Sequence, residues 1–249
     1  MKALILAAGV GVRLGPYGQE IPKCLLPFGA RSLIARQLER LRACGIERVH
    51  IGIGYKAELI EAELEKHGDG MDVSTTFNPD YTRGNILTVL AMREHFVADQ
   101  PVLLMDADVL CDTRMLRRLI ESAHADCVLL DRDFEPGAEP VKVCVSNRNI
   151  VEFGKELPAG LVFDVQGESV GFFKLAPGTA EDLVARCKTY VQRGCLDEHY
   201  EAPLRDAMLS EDGPHFGVED VTGLPWIEID FPQDISRAEA QVLPRLKGP

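Results

Sequence analysis

Two aspartates, Asp106 and Asp108, stand at and just beyond the end of the apolar run Val102-Leu103-Leu104-Met105. A short apolar run of this kind reads as a strand buried on both faces, and a parallel sheet binds ligands beyond the carboxyl ends of its strands. Carboxylate oxygens are natural ligands for Mg²⁺, which takes one or two of them together with phosphate oxygens. Two carboxylates at i and i+2 repel each other unless a cation lies near them. The alternative is a strand-end aspartate that caps the next turn or helix, and that reading is preferred for Asp112. A complementary set of positive groups opens the chain. Leu6-Ala7-Ala8-Gly9-Val10-Gly11-Val12-Arg13 runs from an apolar stretch into a glycine-bearing loop, and Ile21-Pro22-Lys23 follows. Glycines let backbone amides approach an anion, and Arg13 and Lys23 add charge suited to phosphates. A plain strand-to-loop turn with two surface cations fits the glycines equally well.

Known phosphate loops narrow the choice. A dinucleotide fingerprint needs a third glycine, but position 14 is Leu14. A Walker loop needs Gly-Lys-Ser/Thr after its four-residue gap, and that is absent. The elements that must carry these residues alternate. Apolar runs at Ala3–Ala7, Val49–Ile53, Val102–Met105 and Cys127–Leu130 read as buried strands, with Met71–Thr75 as a further strand. Between them, helical spacing covers Ser32 to Cys44, Ala57–Lys66, Asn85–Phe96 and Thr113–Ala123. Ser32 can cap the first of these helices and Gly45 can end it. Such alternation implies βαβ units with right-handed crossovers. The second half changes character: Val141–Ser146 and Ile150–Phe153 predict a hairpin, and Ser169–Leu175 and Trp226–Ile229 are strands. Ala180–Arg193, Ala202–Leu209 and Ile235–Val242 are its helices.

The chain has 249 residues and a formal net charge of −12. That charge argues against non-specific binding to nucleic acid or to an anionic membrane. Seven scattered cysteines without a CxxC pair point to a reducing compartment, and no apolar stretch is long enough to span a bilayer. The expectation is a soluble, cytoplasmic protein.

The run L-A-A-G-x-G-x-R, with P-K about ten residues later, resembles the signature of the nucleotidyltransferases that make nucleotide sugars and CDP-alcohols. The compact chain looks most like the phosphocholine and inositol-phosphate cytidylyltransferase branch. The resemblance implies an α/β, Rossmann-like fold of the nucleotide-diphospho-sugar transferase type. Its mostly parallel twisted sheet is flanked by helices and carries a small β-rich extension on the acceptor side. One domain spans residues 1–249, with a nucleotide-binding half at 1–135 and an acceptor-binding half at 136–249. Leu6, Ala7, Ala8 and Gly9 then line the nucleotide, the backbone near Ala8 and Gly9 facing the base. Gly11 and Arg13 wrap the β- and γ-phosphates, and Lys23 sits by the α-phosphate.

The family's strand-end A-D pair aligns with Ala107-Asp108. It makes Asp108 a metal ligand and leaves Asp106 on the nucleotide side behind it; the reverse assignment stays open. Trp226-Ile227-Glu228-Ile229-Asp230 resembles a late E-I-D segment, so Asp230 inherits the second ligand position, with Asp234 structural. Glu228 alternates with apolar neighbours and equally fits a solvent face. Phe153-Gly154-Lys155-Glu156 matches the lysine of a family E-K pair, although glycine replaces the glutamate. Lys155 therefore binds the acceptor phosphate, with Lys142 a second candidate against its reading as an edge-strand lysine. Gly84 and Asn85 fit a loop that approaches the base or sugar, and a plain N-cap also accounts for Asn85. Glu168 lies on a segment that resembles the acceptor wall and could read a hydroxyl or an amine.

The activity implied is Mg²⁺-dependent transfer of CMP from CTP to a small phosphorylated alcohol, amine or phosphonate, with release of pyrophosphate. Lys23, Arg13 and Lys155 are its catalytic residues, and a homodimer is compatible with it. A sugar-1-phosphate enzyme using UTP, GTP or dTTP is the rival within the class. A regulatory protein that binds nucleotide without turnover is the rival outside it.

Overall fold

The structure, a computed structural model, describes residues 1–247 except positions 69 and 98. The first half runs β1 (Lys2–Ala7), α1 (Pro16–Glu20), β2 (Pro27–Phe28), β3 (Arg31–Ser32), α2 (Leu33–Ala43), β4 (Arg48–Ile53), α3 (Ala57–His67), β5 (Asp72–Phe77), α4 (Ile86–Ala91), α5 (Arg93–Phe96), β6 (Val102–Asp106), β7 (Val109–Cys111), α6 (Thr113–Glu121) and β8 (Asp126–Asp131). The second half runs β9 (Lys142–Ser146), β10 (Asn149–Gly154), β11 (Val165–Leu175), α7 (Pro177–Gln192), α8 (Glu201–Met208), β12 (Phe216–Asp220), β13 (Trp226–Glu228) and α9 (Pro232–Arg237).

Among the described residues, nine strands form one sheet. Its main order is β10-β9-β11-β6-β1-β4-β5, and β8 pairs with both β11 and β12. The apolar runs read from the sequence form its parallel core, since β1 pairs in parallel with β4 and β6, and β4 with β5. Ala3, Leu4 and Ile5 have no exposed surface, as expected for a strand covered on both faces. The antiparallel pairings belong to the β-rich extension. The long β11 pairs with β9 at one end and β6 at the other along one edge, and with β8 along the opposite edge. One continuous sheet therefore joins the first and second halves of the chain.

Ser32 caps α2 by accepting from the Ala35 amide at 3.2 Å, and Gly45 follows its end at φ +76°. The helix expected over Asn85–Phe96 is two short helices broken at the buried Met92. The last helix starts earlier than Ile235: α9 begins at Pro232 and passes into a π-helical turn at Ala238–Val242. Among the described residues, no helix is long and apolar enough to cross a membrane. Two core clusters lie against the sheet. One includes Ile34, Leu38 and Leu116, the other Val89, Leu183 and Leu204. This packed frame fixes the strand ends around which the cleft opens.

Candidate active site

A cleft of about 1540 Å³ opens where β1 and β6 end. Gly11, in the loop after β1, has φ +67°, and a Cβ there would sit 2.8 Å from Lys23 Cγ. Glycine is thus needed both for the backbone conformation and for the passage of the Lys23 side chain. Leu6, Ala7, Ala8, Gly9, Gly11, Arg13 and Lys23 all line the cleft.

The carboxylates arrive from two chain segments that are tied together. Asp108 follows β6, and Gln37 from α2 braces this turn by donating to the carbonyls of Asp106 (2.9 Å) and Val109 (3.3 Å). β7 and β13 pair antiparallel, with Val109 opposite Glu228, and the Ile229 amide donates to the Asp108 carbonyl at 3.0 Å. Asp234 fixes the next turn by accepting from the amides of Asp230 (3.1 Å) and Phe231 (2.7 Å), the structural role expected of it. One carboxylate oxygen from each of Asp108, Glu228 and Asp230 lies within 4.8 Å of the others. Lys23 Nζ lies between two of these residues, 2.8 Å from Asp108 Oδ2 and 2.6 Å from Asp230 Oδ1. Burial pulls the Lys23 pKa down, but the attraction and hydrogen bonds of the two aspartates outweigh it and raise it. Glu228 opens onto the cleft, yet the crowding walls and then the charges of Asp108 and Asp230 push its pKa well up.

Asp108 Oδ1 is buried without a hydrogen-bond partner among the described residues. A buried carboxylate oxygen rarely goes unpaired. Together with the all-oxygen donor set, this fits a hard divalent cation held by Asp108, Glu228 and Asp230. Asp106 turns away from that set. Its Oδ2 accepts from the buried Tyr200 hydroxyl at 2.9 Å, and Gly171 (φ +76°) lets it lie so close that a Cβ there would come within 2.4 Å. Burial, then Glu201, Asp108 and Glu228, drive the Asp106 pKa well above the usual range against the Tyr200 hydrogen bond.

Lys155 and Glu168 also line the cleft. Glu139, on the loop before β9, bridges Arg13 NH1 (2.7 Å) and Lys155 Nζ (3.2 Å) with one oxygen. Arg13 also reaches Asp230 Oδ1 at 2.8 Å and stacks 5.3 Å above the Phe231 ring centre. Burial, then Asp131, pushes the Glu168 pKa up to about 7. Asp131 is held in turn by Trp226 Nε1 at 2.7 Å.

Two expected site residues do not line the cleft. Gly84 packs against the chain opposite, where a Cβ would come within 2.0 Å of the Glu198 carbonyl oxygen, so its role is close packing. The Lys142 ammonium is spent on the carbonyls of Gly137 (2.8 Å), Pro140 (3.2 Å) and Lys155 (2.7 Å), so it braces the loop before β9 and the end of the hairpin. Asn85 does line the cleft, but its Oδ1 accepts from the Tyr200 amide at 2.7 Å rather than capping α4. The sequence reading missed Glu139, Tyr200 and Gln37, and left Glu228 undecided. For Glu228 alternation left the face open, and the pairing of β13 with β7 sets it opposite Val109 and near Asp108.

Residues 3–160 match the model of the MobA-like NTP transferase domain, and the chain belongs to that family. Its relatives include the CMP-5'-(3-aminopropyl)phosphonate synthase of Streptomyces rubellomurinus, 26% identical over 98% of this chain and 39% of that protein. Another is a bifunctional IPC transferase and DIPP synthase of Rubrobacter xylanophilus, 30% identical over 97% of this chain and 52% of that protein. The chain thus spans about half or less of the length of these two relatives. The solved CTP:phosphocholine cytidylyltransferase from Streptococcus pneumoniae shares the fold, with a TM-score of 0.75 at 24% identity over 96% of this chain and 97% of that one.

Proposed function

We propose that this chain is a cytoplasmic cytidylyltransferase that moves CMP from CTP to a small phosphorylated alcohol, amine or phosphonate and releases pyrophosphate. The observation that carries the reading is the Lys23 ammonium set between Asp108 and Asp230 at the end of the nucleotide loop. It puts a phosphate-binding cation and a hard-metal donor set at one point. In the reaction, an acceptor oxygen attacks the α-phosphorus in line. The bond between the α-phosphorus and the bridging oxygen breaks, and pyrophosphate carries that oxygen away. The acceptor is already anionic, so no general base is needed.

Lys23 neutralises charge that grows on the α-phosphoryl group. Arg13 holds the outer phosphates, and Lys155 orients the acceptor phosphate. Asp108, Glu228 and Asp230 would hold Mg²⁺, which when bound would supply Lewis-acid chemistry and neutralise phosphate charge. Asp106 shapes the nucleotide side through Tyr200. On this reading residues 1–135 serve the donor, and residues 136–249 serve the acceptor and supply Glu228 and Asp230 for the metal.

The test is pyrophosphate release by the purified protein with Mg²⁺, each nucleoside triphosphate in turn, and a panel of phosphorylated alcohols, amines, phosphonates and sugars. Release with CTP and one non-sugar class is the expected result. Release only with UTP, GTP or dTTP and a sugar-1-phosphate would replace this reading with the sugar-nucleotide one.

A further inference from the structure

Glu139 stands where a substrate phosphate would be expected. Its Oε2 accepts from Arg13, which comes from the donor-side loop, and from Lys155, which comes from the acceptor hairpin. Two cations that share one carboxylate oxygen are close enough to share one phosphate oxygen. The contact is also built rather than a chance meeting of surface charges. Lys142 clamps the loop at the carbonyls of Gly137 and Pro140, and with the same ammonium it grips the carbonyl of Lys155. Glu135 on the same loop reaches Arg237 at 3.4 Å. The loop and the lysine it pairs with are therefore held from one point. Hydrogen bonding and charge from Lys155, joined by Arg13, hold the Glu139 carboxyl below the usual glutamate range, so it is ionised at neutral pH.

We propose that Glu139 is an internal phosphate surrogate that couples the binding of the two substrates. It neutralises the donor-side and acceptor-side cations together, and either anionic substrate must displace it from both. The first ligand bears the whole displacement, and the second finds its cation already free. Each substrate therefore raises the affinity for the other, by the same factor in both directions. The inference rests on the cytidylyltransferase reading only for naming what the two cations receive.

The test uses the whole chain in Mg²⁺ buffer, titrated calorimetrically with inorganic pyrophosphate, with and without saturating methylphosphonate as the acceptor probe. Both pairs of Glu139 are half exposed, so each is weak. Glu139→Ala should bind pyrophosphate alone roughly 3–10-fold more tightly than wild type. The factor by which methylphosphonate strengthens pyrophosphate binding should be smaller in the variant. Glu139→Gln, which keeps the shape and loses the charge, should change both in the same direction. Glu135→Gln removes an equal charge from the same loop without touching Arg13 or Lys155, and it should leave the coupling factor unchanged.

The proposal fails if neither Glu139 variant binds pyrophosphate more tightly, or if Glu135→Gln reproduces the whole effect. The two readings can fall separately. A protein that shows this coupling but releases pyrophosphate from no substrate pair keeps the surrogate and loses the cytidylyltransferase assignment. One that turns over CTP while the Glu139 variants bind pyrophosphate no more tightly does the reverse.

Discussion

Replacing Lys23 with alanine removes the ammonium that lies 2.8 Å from Asp108 and 2.6 Å from Asp230, and leaves three carboxylates facing one another. Two effects follow, and they respond differently to Mg²⁺. In turnover, one lost donor to a developing charge typically costs about 2.7–4 kcal/mol, or roughly 100- to 1000-fold. In folding, the side chains of Lys23, Asp108 and Asp230 are only 16%, 21% and 13% exposed. Leaving Asp108 without its partner, while Asp230 keeps Arg13, costs on the order of 1–3 kcal/mol. A ligand that binds only the folded protein returns stability, about 2.7 kcal/mol when present at 100 times its dissociation constant. In wild type, Mg²⁺ must displace the ammonium from the aspartates; in the variant it need not. Mg²⁺ should therefore raise the melting temperature more in Lys23→Ala than in wild type, while turnover stays low. Pyrophosphate release gives the first measurement, and thermal denaturation by circular dichroism with and without MgCl₂ gives the second. A folded variant that keeps turnover within about tenfold of wild type would refute the role of Lys23 at the α-phosphate. An equal Mg²⁺ shift in both proteins would refute the shared use of the aspartate oxygens.

Two further predictions address the walls of the cleft. Gly84→Ala places a Cβ 2.0 Å from the Glu198 carbonyl oxygen and 2.6 Å from the Asp197 carbonyl carbon, backbone atoms that cannot swing aside. It should destabilise by about 1–3 kcal/mol or more in urea denaturation, and a wild-type midpoint would show that these two segments do not pack as described. Glu168, whose pKa is raised from 4.5 to about 7, makes stability depend on pH. Its folded form binds more protons than the unfolded chain between those values, so its contribution falls as pH rises through that window and stays low above it. Glu168→Gln should therefore gain melting temperature over wild type at pH 8 and lose most of that gain near pH 5; a gain independent of pH would remove Glu168 as its source.

How much of this was legible in the sequence depended on the kind of signal. Apolar runs fixed the parallel core, because a strand covered on both faces has few other ways to be written; Val49–Ile53 and Val102–Met105 came out nearly to the residue. The strand Phe216–Asp220 was not read, since its Phe-Gly-Val run is short and ends in two acids. Arg13, Lys23 and Asp108, which the structure brings to one cleft, could be picked out because each lies in a motif near a strand end. Lys142 was misplaced for the opposite reason. Its partners are backbone carbonyls of a loop, and side-chain types carry no record of where such carbonyls point. Glu139 lies in Pro-Gly-Ala-Glu-Pro, which has no periodicity to assign it a face. Alternation left Glu228 open, and the decision came from pairing Glu228 with Val109, a contact made across half the chain.

On the proposed function, the same contacts let a chain of net charge −12 hold polyanions. At physiological salt a charge is screened over about 8 Å, so the acidic surface as a whole matters less than the groups inside the cleft. Inside the cleft, the cations assigned to phosphate are already paired: Lys23 with Asp108 and Asp230, Arg13 with Asp230 and Glu139, and Lys155 with Glu139. Unpaired, these three cations would form a general anion trap. Paired, Lys23 yields only to a ligand that satisfies the cation and also leaves Asp108 and Asp230 with a partner. A triphosphate that arrives with a divalent ion does both at Asp108 and Asp230, whereas a bare monoanion does not. On the cytidylyltransferase reading, the acidic residues select for a metal-bound nucleotide, which would account for so many carboxylates in a cleft proposed to take a negative substrate.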